Sequence, residues 1–121
     1  MANFTINGKE QELKLTYAGV KYLNKVTEGG ALSVVGQAMQ GDADLFPHVI
    51  IAALKHTGEQ YTLVDAEQAI EDAITEERLD FLGIMRLSNE VISESFFYKA
   101  LMTKMMADNK EAKKALDKLL K

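Results

Sequence analysis

The chain has 121 residues, 47% hydrophobic and 26% charged, with no cysteine and a formal net charge of -4. This is the composition of one ordinary globular core, large enough to be stable without metal or crosslinks, and it excludes disordered and fibrous classes. The lack of cysteine excludes disulfides, thiolate nucleophiles and cysteine-held zinc, and the acidic balance is opposite to the footprint of sequence-independent nucleic-acid binding.

The first residues, Met1-Ala2-Asn3-Phe4-Thr5, have neither the basic start nor the apolar run of a secretory signal, so a cytoplasmic location is expected. Phe4-Thr5-Ile6 and Leu13-Lys14-Leu15 read as two short alternating strands, with Asn7-Gly8 suited to the positive φ angles of a tight turn. The spacer Lys9-Glu10-Gln11-Glu12 leaves their register open. A lone hairpin is barely stable in water, so its apolar face must rest on helices.

Thr16 is placed to cap a helix in which Tyr17, Val20, Leu23 and Val26 recur at helical spacing before Gly29-Gly30 stops it. Ala31 to Gln40 is a weaker helix, with Leu32, Val35 and Met39 on one side, and Gly41 breaks the chain. Asp42 or Asp44 can cap a third helix, with Pro47 in its first turn, where a missing N–H costs nothing. Its apolar residues Phe46, Val49, Ile50, Ile51, Ala53 and Leu54 run nearly all round, which marks a buried central helix. The apolar run Val49 to Leu54 is far short of the about 20 residues that cross a bilayer, and no membrane span is expected.

Thr62 with Asp65 three residues later has the form of a capping box, opening a helix with Ala66, Ala69, Ile70 and Ala73. Thr75-Glu76-Glu77 suggests a further start, followed by a helical pattern to Met106. That stretch would be about 48 Å long at 1.5 Å per residue, against a radius of gyration of about 14 Å. It must break or protrude, and Ser88-Asn89 is the expected break, because both side chains compete for backbone donors. Lys110 to Lys121 forms a short amphipathic tail. The expected fold is mainly α, an N-terminal β-hairpin packed on a compact bundle of about five or six helices. A single domain over 1–121 follows, with hairpin 1–15, helical body 16–106 and Lys-rich C-terminal helix or tail 107–121.

No chemistry for catalysis emerges. His48 and His56 are about 80° apart on a helical wheel, without a third ligand at metal spacing, and read as structural or exposed. Asp42-Ala43-Asp44 lacks the spacing and closing glutamate of a calcium loop and reads as helix capping. Gly29-Gly30 and Gly36 form no phosphate cradle. The acidic residues between Asp65 and Asp80 suit a solvated helix face better than paired catalytic carboxylates. Ser88, Ser93 and Ser95 lack any nucleophile context. We expect no enzyme, metal or cofactor.

What the sequence has in surplus is an apolar helix. Phe97, Leu101, Met105, Tyr98, Met102 and Met106 cover about 180° of a wheel, with Phe96 further round, whereas a core stripe needs about 100°. Two readings stay open: a central helix with neighbours on both sides, or a partner-binding surface of Phe96, Phe97, Leu101, Met102, Met105 and Met106, where methionine adapts to varied shapes. A homo-oligomer would use the same surplus.

Phe4-x-Ile6-Asn7-Gly8, Leu13-Lys14-Leu15-Thr16-Tyr17-Ala18-Gly19-Val20, the Gly29-Gly30 loop, Gly41-Asp42 and Ala52-Ala53-Leu54-Lys55-His56 together resemble the tail assembly chaperones of long-tailed phages of Gram-positive hosts. The likeness is one of arrangement, clear over the first half and carried afterwards by an acidic, helical, Lys-ended second half. It implies a protein of the infected host's cytoplasm, absent from the finished virion. Such a protein holds the tape-measure protein, and tail-tube subunits, soluble and assembly-competent. Family members are often made in two lengths through a programmed frameshift, and this chain would be the short form. No catalytic or cofactor residue carries over. The alternative is a small helical DNA-binding or other protein-interaction regulator, from the loose helix-turn-helix of Ala31–Gln40, Gly41 and the next helix. Leu45-Phe46-Pro47-His48-Val49-Ile50 offers almost nothing to read base edges, and no nucleic-acid partner is expected.

Overall fold

The computed structural model describes residues 2–95. The Phe96 to Met106 surface, the expected continuation of the long helix to Met106 and the 107–121 tail lie outside the described residues.

β1 (Ala2–Ile6) and β2 (Lys9–Leu13) pair antiparallel, with Ile6 opposite Lys9, Phe4 opposite Gln11 and Ala2 opposite Leu13. Asn7 (φ 51) and Gly8 (φ 76) make the turn, both in the left-handed region that a two-residue hairpin of matching twist requires. The second strand therefore begins directly after the turn, four residues before the expected start at Leu13. The polar residues taken for a spacer are the strand. Of its three inward positions, Lys9, Gln11 and Leu13, only Leu13 is apolar, so alternation is invisible there.

The hairpin buries Ala2, Phe4, Ile6 and Leu13 and is stapled to the helices by polar groups. The Lys14 N–H donates to the Ala53 carbonyl at 2.9 Å, Gln11 Nε2 donates to the Tyr61 hydroxyl at 2.9 Å, and His56 Nε2 donates to the Glu12 carbonyl at 2.7 Å. An exposed Lys9–Glu59 ion pair at 3.5 Å closes the same side, and Tyr61 also donates to Glu59.

α1 (Tyr17–Asn24) starts at Thr16 as expected, although the Thr16 side chain makes no capping bond. It ends before Gly29, and Tyr17, expected on the inner face, is 68% exposed. Gly19 is where α1 crosses the centre: a Cβ there would stand 2.4 Å from the Ala52 carbonyl oxygen. α2 (Gly30–Met39) is anchored by Asn24, whose Oδ1 accepts the Ala31 N–H at 2.8 Å, and buries Ala31, Val34, Val35, Ala38 and Met39.

α3 (Phe46–Ala53) is the buried central helix that the sequence predicts, enclosed by α1, α2, α4 and α5. Asp42 prepares its start by accepting the Asp44 and Leu45 N–H groups at 2.9 and 3.1 Å. The Phe46 ring meets Phe4 edge-on, centroids 6.4 Å apart at 85°. Each such side chain contributes about 1.5–3 kcal/mol on full burial.

After a 3-10 turn (Lys55–Thr57), α4 (Leu63–Thr75) opens with the expected capping box. The Asp65 N–H donates to Thr62 Oγ1 at 3.2 Å, and the Thr62 N–H donates back to Asp65 Oδ2 at 2.9 Å. That backbone N–H holds the Asp65 carboxyl below its usual range. Small residues, Ala66, Ala69 and Ala73, form its inner stripe.

α5 (Phe81–Ser93) departs from expectation at its start. Thr75 ends α4 instead of beginning the next helix: Glu77 turns left-handed (φ 60), and the Arg78 and Leu79 N–H groups close back on the Ala73 carbonyl at 2.8 and 3.2 Å. Asp80 is the true cap, its Oδ1 accepting the Gly83 N–H at 2.7 Å. Ser88 and Asn89, expected to break the helix, lie within it and are buried. Asn89 does engage the backbone, donating to the Met85 carbonyl one turn back at 2.7 Å, but that bond runs along the helix and leaves it unbroken.

Candidate partner-binding surface

The polar groups that could suggest chemistry are accounted for by structure. His48 Nδ1 lies 2.8 Å from the Tyr22 hydroxyl, whose pKa burial raises, and His56 holds the hairpin edge. Among the described residues no group of three or more His, Asp or Glu side chains could hold a metal. Glu67, Glu71, Asp72, Glu76 and Glu77 are exposed, as a solvated face would be. Ser88 Oγ is sealed in the core without a hydrogen-bond partner among the described residues, out of reach of substrate. No described helix is long and apolar enough to cross a membrane. The helix-turn-helix reading meets α3 itself, which is buried along nearly its whole length and presents no face to a DNA groove.

What remains is surface. At the start of α5, Phe81 and Leu82 are 59% and 62% exposed, although both are large and apolar. The reason is local: Asp80 fixes where the helix begins, and its first turn projects past the core. Phe81 rests on Gly41 of the α2–α3 turn, where the backbone has φ +96 and a Cβ would meet the ring at 2.6 Å. Beside it, Leu82, Met85, Arg86 and Asn89 line an open cleft of about 200 Å³. Asn89 Nδ2 donates to the Met85 carbonyl at 2.7 Å, which keeps that side chain folded against its own helix.

Further apolar side chains stand out from α4, Val64 at 72% and Ile74 at 50%. A shallow groove of about 410 Å³, lined by Leu15, Thr16, Tyr17, Glu94 and Ser95, lies at the last described residue. The sequence-predicted surface of Phe96, Phe97, Leu101, Met102, Met105 and Met106 follows directly in the chain but lies outside the described residues. Another cleft, of about 250 Å³, between β1 and the α4–α5 corner is polar, with Glu10, Arg78, Arg86 and Glu90 around it.

Phe81 and Leu82 were missed as surface residues because they continue the apolar pattern of a core helix. A signal did exist. Phe81, Leu82, Ile84, Met85 and Leu87 together cover more of the wheel than one core stripe needs, the same excess that singled out Phe96 to Met106.

Comparison with curated proteins and with solved structures gave no match. The sequence model of the family described as phage tail assembly chaperone protein, TAC, matches residues 3–107. That span takes in the hairpin, all five described helices and the Met-rich stretch beyond them, and so the chain belongs to the phage tail assembly chaperone family.

Proposed function

We propose that this chain binds the tape-measure protein of a long-tailed phage, and with it tail-tube subunits, keeping them soluble in the host cytoplasm until the tail is built. It leaves before the virion is finished. The observation that carries this reading is the family match, which runs through residue 107 and therefore includes Phe96 to Met106. Phe96, Phe97, Leu101, Met102, Met105 and Met106 are the partner-binding side chains in this proposal, with exposed Phe81 and Leu82 as a second apolar area.

The physical logic is that of a cover. A tape-measure protein is long and rich in apolar helix, so it aggregates unless its exposed stripe is masked, and flexible methionines fit many such stripes in turn. The binding is reversible by design, because the partner must be handed on to the growing tail.

Co-expression tests the reading. The tape-measure protein encoded by the same phage is expected to stay soluble and to co-purify with this chain. Phe97→Asp combined with Met102→Asp is expected to lower the soluble fraction several-fold while the helical circular dichroism of the chain is retained. If the tape-measure protein is equally soluble without the chain, and no tail protein co-purifies, the reading is wrong.

A further inference from the structure

A shallow apolar groove lies where the described chain ends. Among the described residues its apolar side chains are buried Leu15 and the exposed ring of Tyr17, with Thr16 and Ser95 beside them. Its volume, about 410 Å³, exceeds the roughly 150 Å³ that holds a benzene-sized ring. Tyr17 stands at the first position of α1, outside the core, so this large ring adds nothing to the packing of the described body.

The path of the chain brings an aromatic side chain to this groove. The Ser95 N–H and hydroxyl both donate to the Ile92 carbonyl, at 3.0 and 2.7 Å, and the Glu94 N–H closes on the Glu90 carbonyl at 3.2 Å, which fixes the point of exit. Phe96 is the next residue, its Cα about 3.8 Å from that of Ser95, and Ser95 itself lines the groove. Phe96 also continues a row of α5. Ile92, four residues back, and Asn89, seven back, are buried, whereas Phe97 follows exposed Ser93. On a helical wheel Phe96 lies about 170° from the middle of the arc that holds Phe97, Leu101, Met102, Met105 and Met106.

We infer that Phe96 is an anchor: its ring fills the Leu15–Tyr17 groove of its own chain and so turns the Met-rich arc of the following helix away from the body. The tether is one residue long, which keeps the ring at high local concentration, so a modest contact is enough to hold it. Phe96 is then a positioning residue. It narrows the partner-binding set to Phe97, Leu101, Met102, Met105 and Met106, which it presents without touching the partner. Seating Phe97 in its place would rotate the helix by about 100° and turn part of that arc inward. The anchor stands on the groove and the path of the chain; the presenting role rests on the chaperone reading above.

NMR of the full chain alone reads the contact. Through-space contacts are expected from the Phe96 ring to the Leu15 methyl groups and to the Tyr17 ring. Phe96→Ala should move the Leu15 methyl signals, and Phe97→Ala should leave them in place. Co-expression with the tape-measure protein reads the presenting role. Phe96→Ala and Tyr17→Ala are each expected to lower the soluble tape-measure fraction roughly fivefold, with the helical circular dichroism of the chain retained. Together they should lower it no further than either alone, because both break one contact. Phe96→Leu, which refills the groove, should restore most of the loss.

Contacts to Leu15 from Phe97 instead of Phe96 overturn the anchor. So does a Phe96–Leu15 contact that grows with the concentration of the chain, which would identify a second copy as its source. Full tape-measure solubility with Phe96→Ala and with Tyr17→Ala, where Phe97→Asp with Met102→Asp abolishes it, overturns the presenting role and leaves the chaperone reading standing. Failure of the wild-type chain to hold the tape-measure protein in solution overturns the chaperone reading and the presenting role with it, while the contacts in the free chain decide the anchor.

Discussion

α3 and α5 are both rich in large apolar side chains, but they use them in opposite ways. In α3, seven of the eight residues are buried and the one left out is His48. In α5, five of thirteen are buried, and two of those are Ser88 and Asn89, while Phe81 and Leu82 face outward. α3 obeys the ordinary rule of apolar inside and polar outside. α5 departs from it twice, with apolar residues outside at its start and polar ones inside farther along. An inversion of this kind lowers stability, so the contrast separates the helix that holds the molecule together from one that is held less tightly.

Cutting into α3 should have the largest effect. Phe46→Ala removes a fully buried ring and its edge contact with Phe4, and is expected to destabilise the chain by about 3–5 kcal/mol in urea denaturation. A loss below about 1 kcal/mol would mean that α3 is not the centre.

Gly41 joins the two regions, and its replacement should fall next. Gly41→Ala demands φ +96 from a residue that avoids it and drives a methyl group into the Phe81 ring, for a loss of about 1–3 kcal/mol. The Phe81 ring signals should shift with it in NMR, whereas a stability loss with unmoved Phe81 signals would deny the contact.

Helix α5, less buried, depends more on its cap. Asp80→Ala is expected to cost about 1 kcal/mol. An Asp44→Ala change before α3 should cost nothing measurable, because Asp44 contributes its backbone N–H there and not its side chain. Equal losses from the two would erase the distinction. The smallest effect belongs to the outward face: Leu82→Ser should change stability by less than about 0.5 kcal/mol, and a larger loss would show Leu82 to be core.

The same contrast explains what could be read from the sequence. α3 was legible because its apolar residues run all round, and α4 because Thr62 and Asp65 state a capping box that forms as written. The start of α5 was not. Thr75-Glu76-Glu77 carries the residue types of a helix start, while the real boundary depends on Glu77 adopting φ 60 and on Asp80, neither of which announces itself. Ser88-Asn89 misled for a related reason: polarity predicts a break only when the side chain faces water, and facing is a tertiary fact. β2 hid because a strand with one wet face needs few apolar residues, and Leu13 was the one it had. Of the candidate site, the excess of apolar surface was legible in principle. Which part of that excess stays outside depends on where the neighbouring helices end.

The polar staples of the hairpin have a consequence for the order in which the chain folds. Gln11 meets Tyr61 across 50 residues and His56 meets Glu12 across 44, so the hairpin has its partners among residues made much later. Alone it is too small to persist, and joining distant residues slows folding more than it weakens the product. The helices are therefore expected to assemble first and the hairpin to dock late, giving φ-values near zero for Gln11 and His56 variants and higher ones within α3. In a cell the hairpin would wait, unpaired with its platform, until Tyr61 has emerged 50 residues after Gln11.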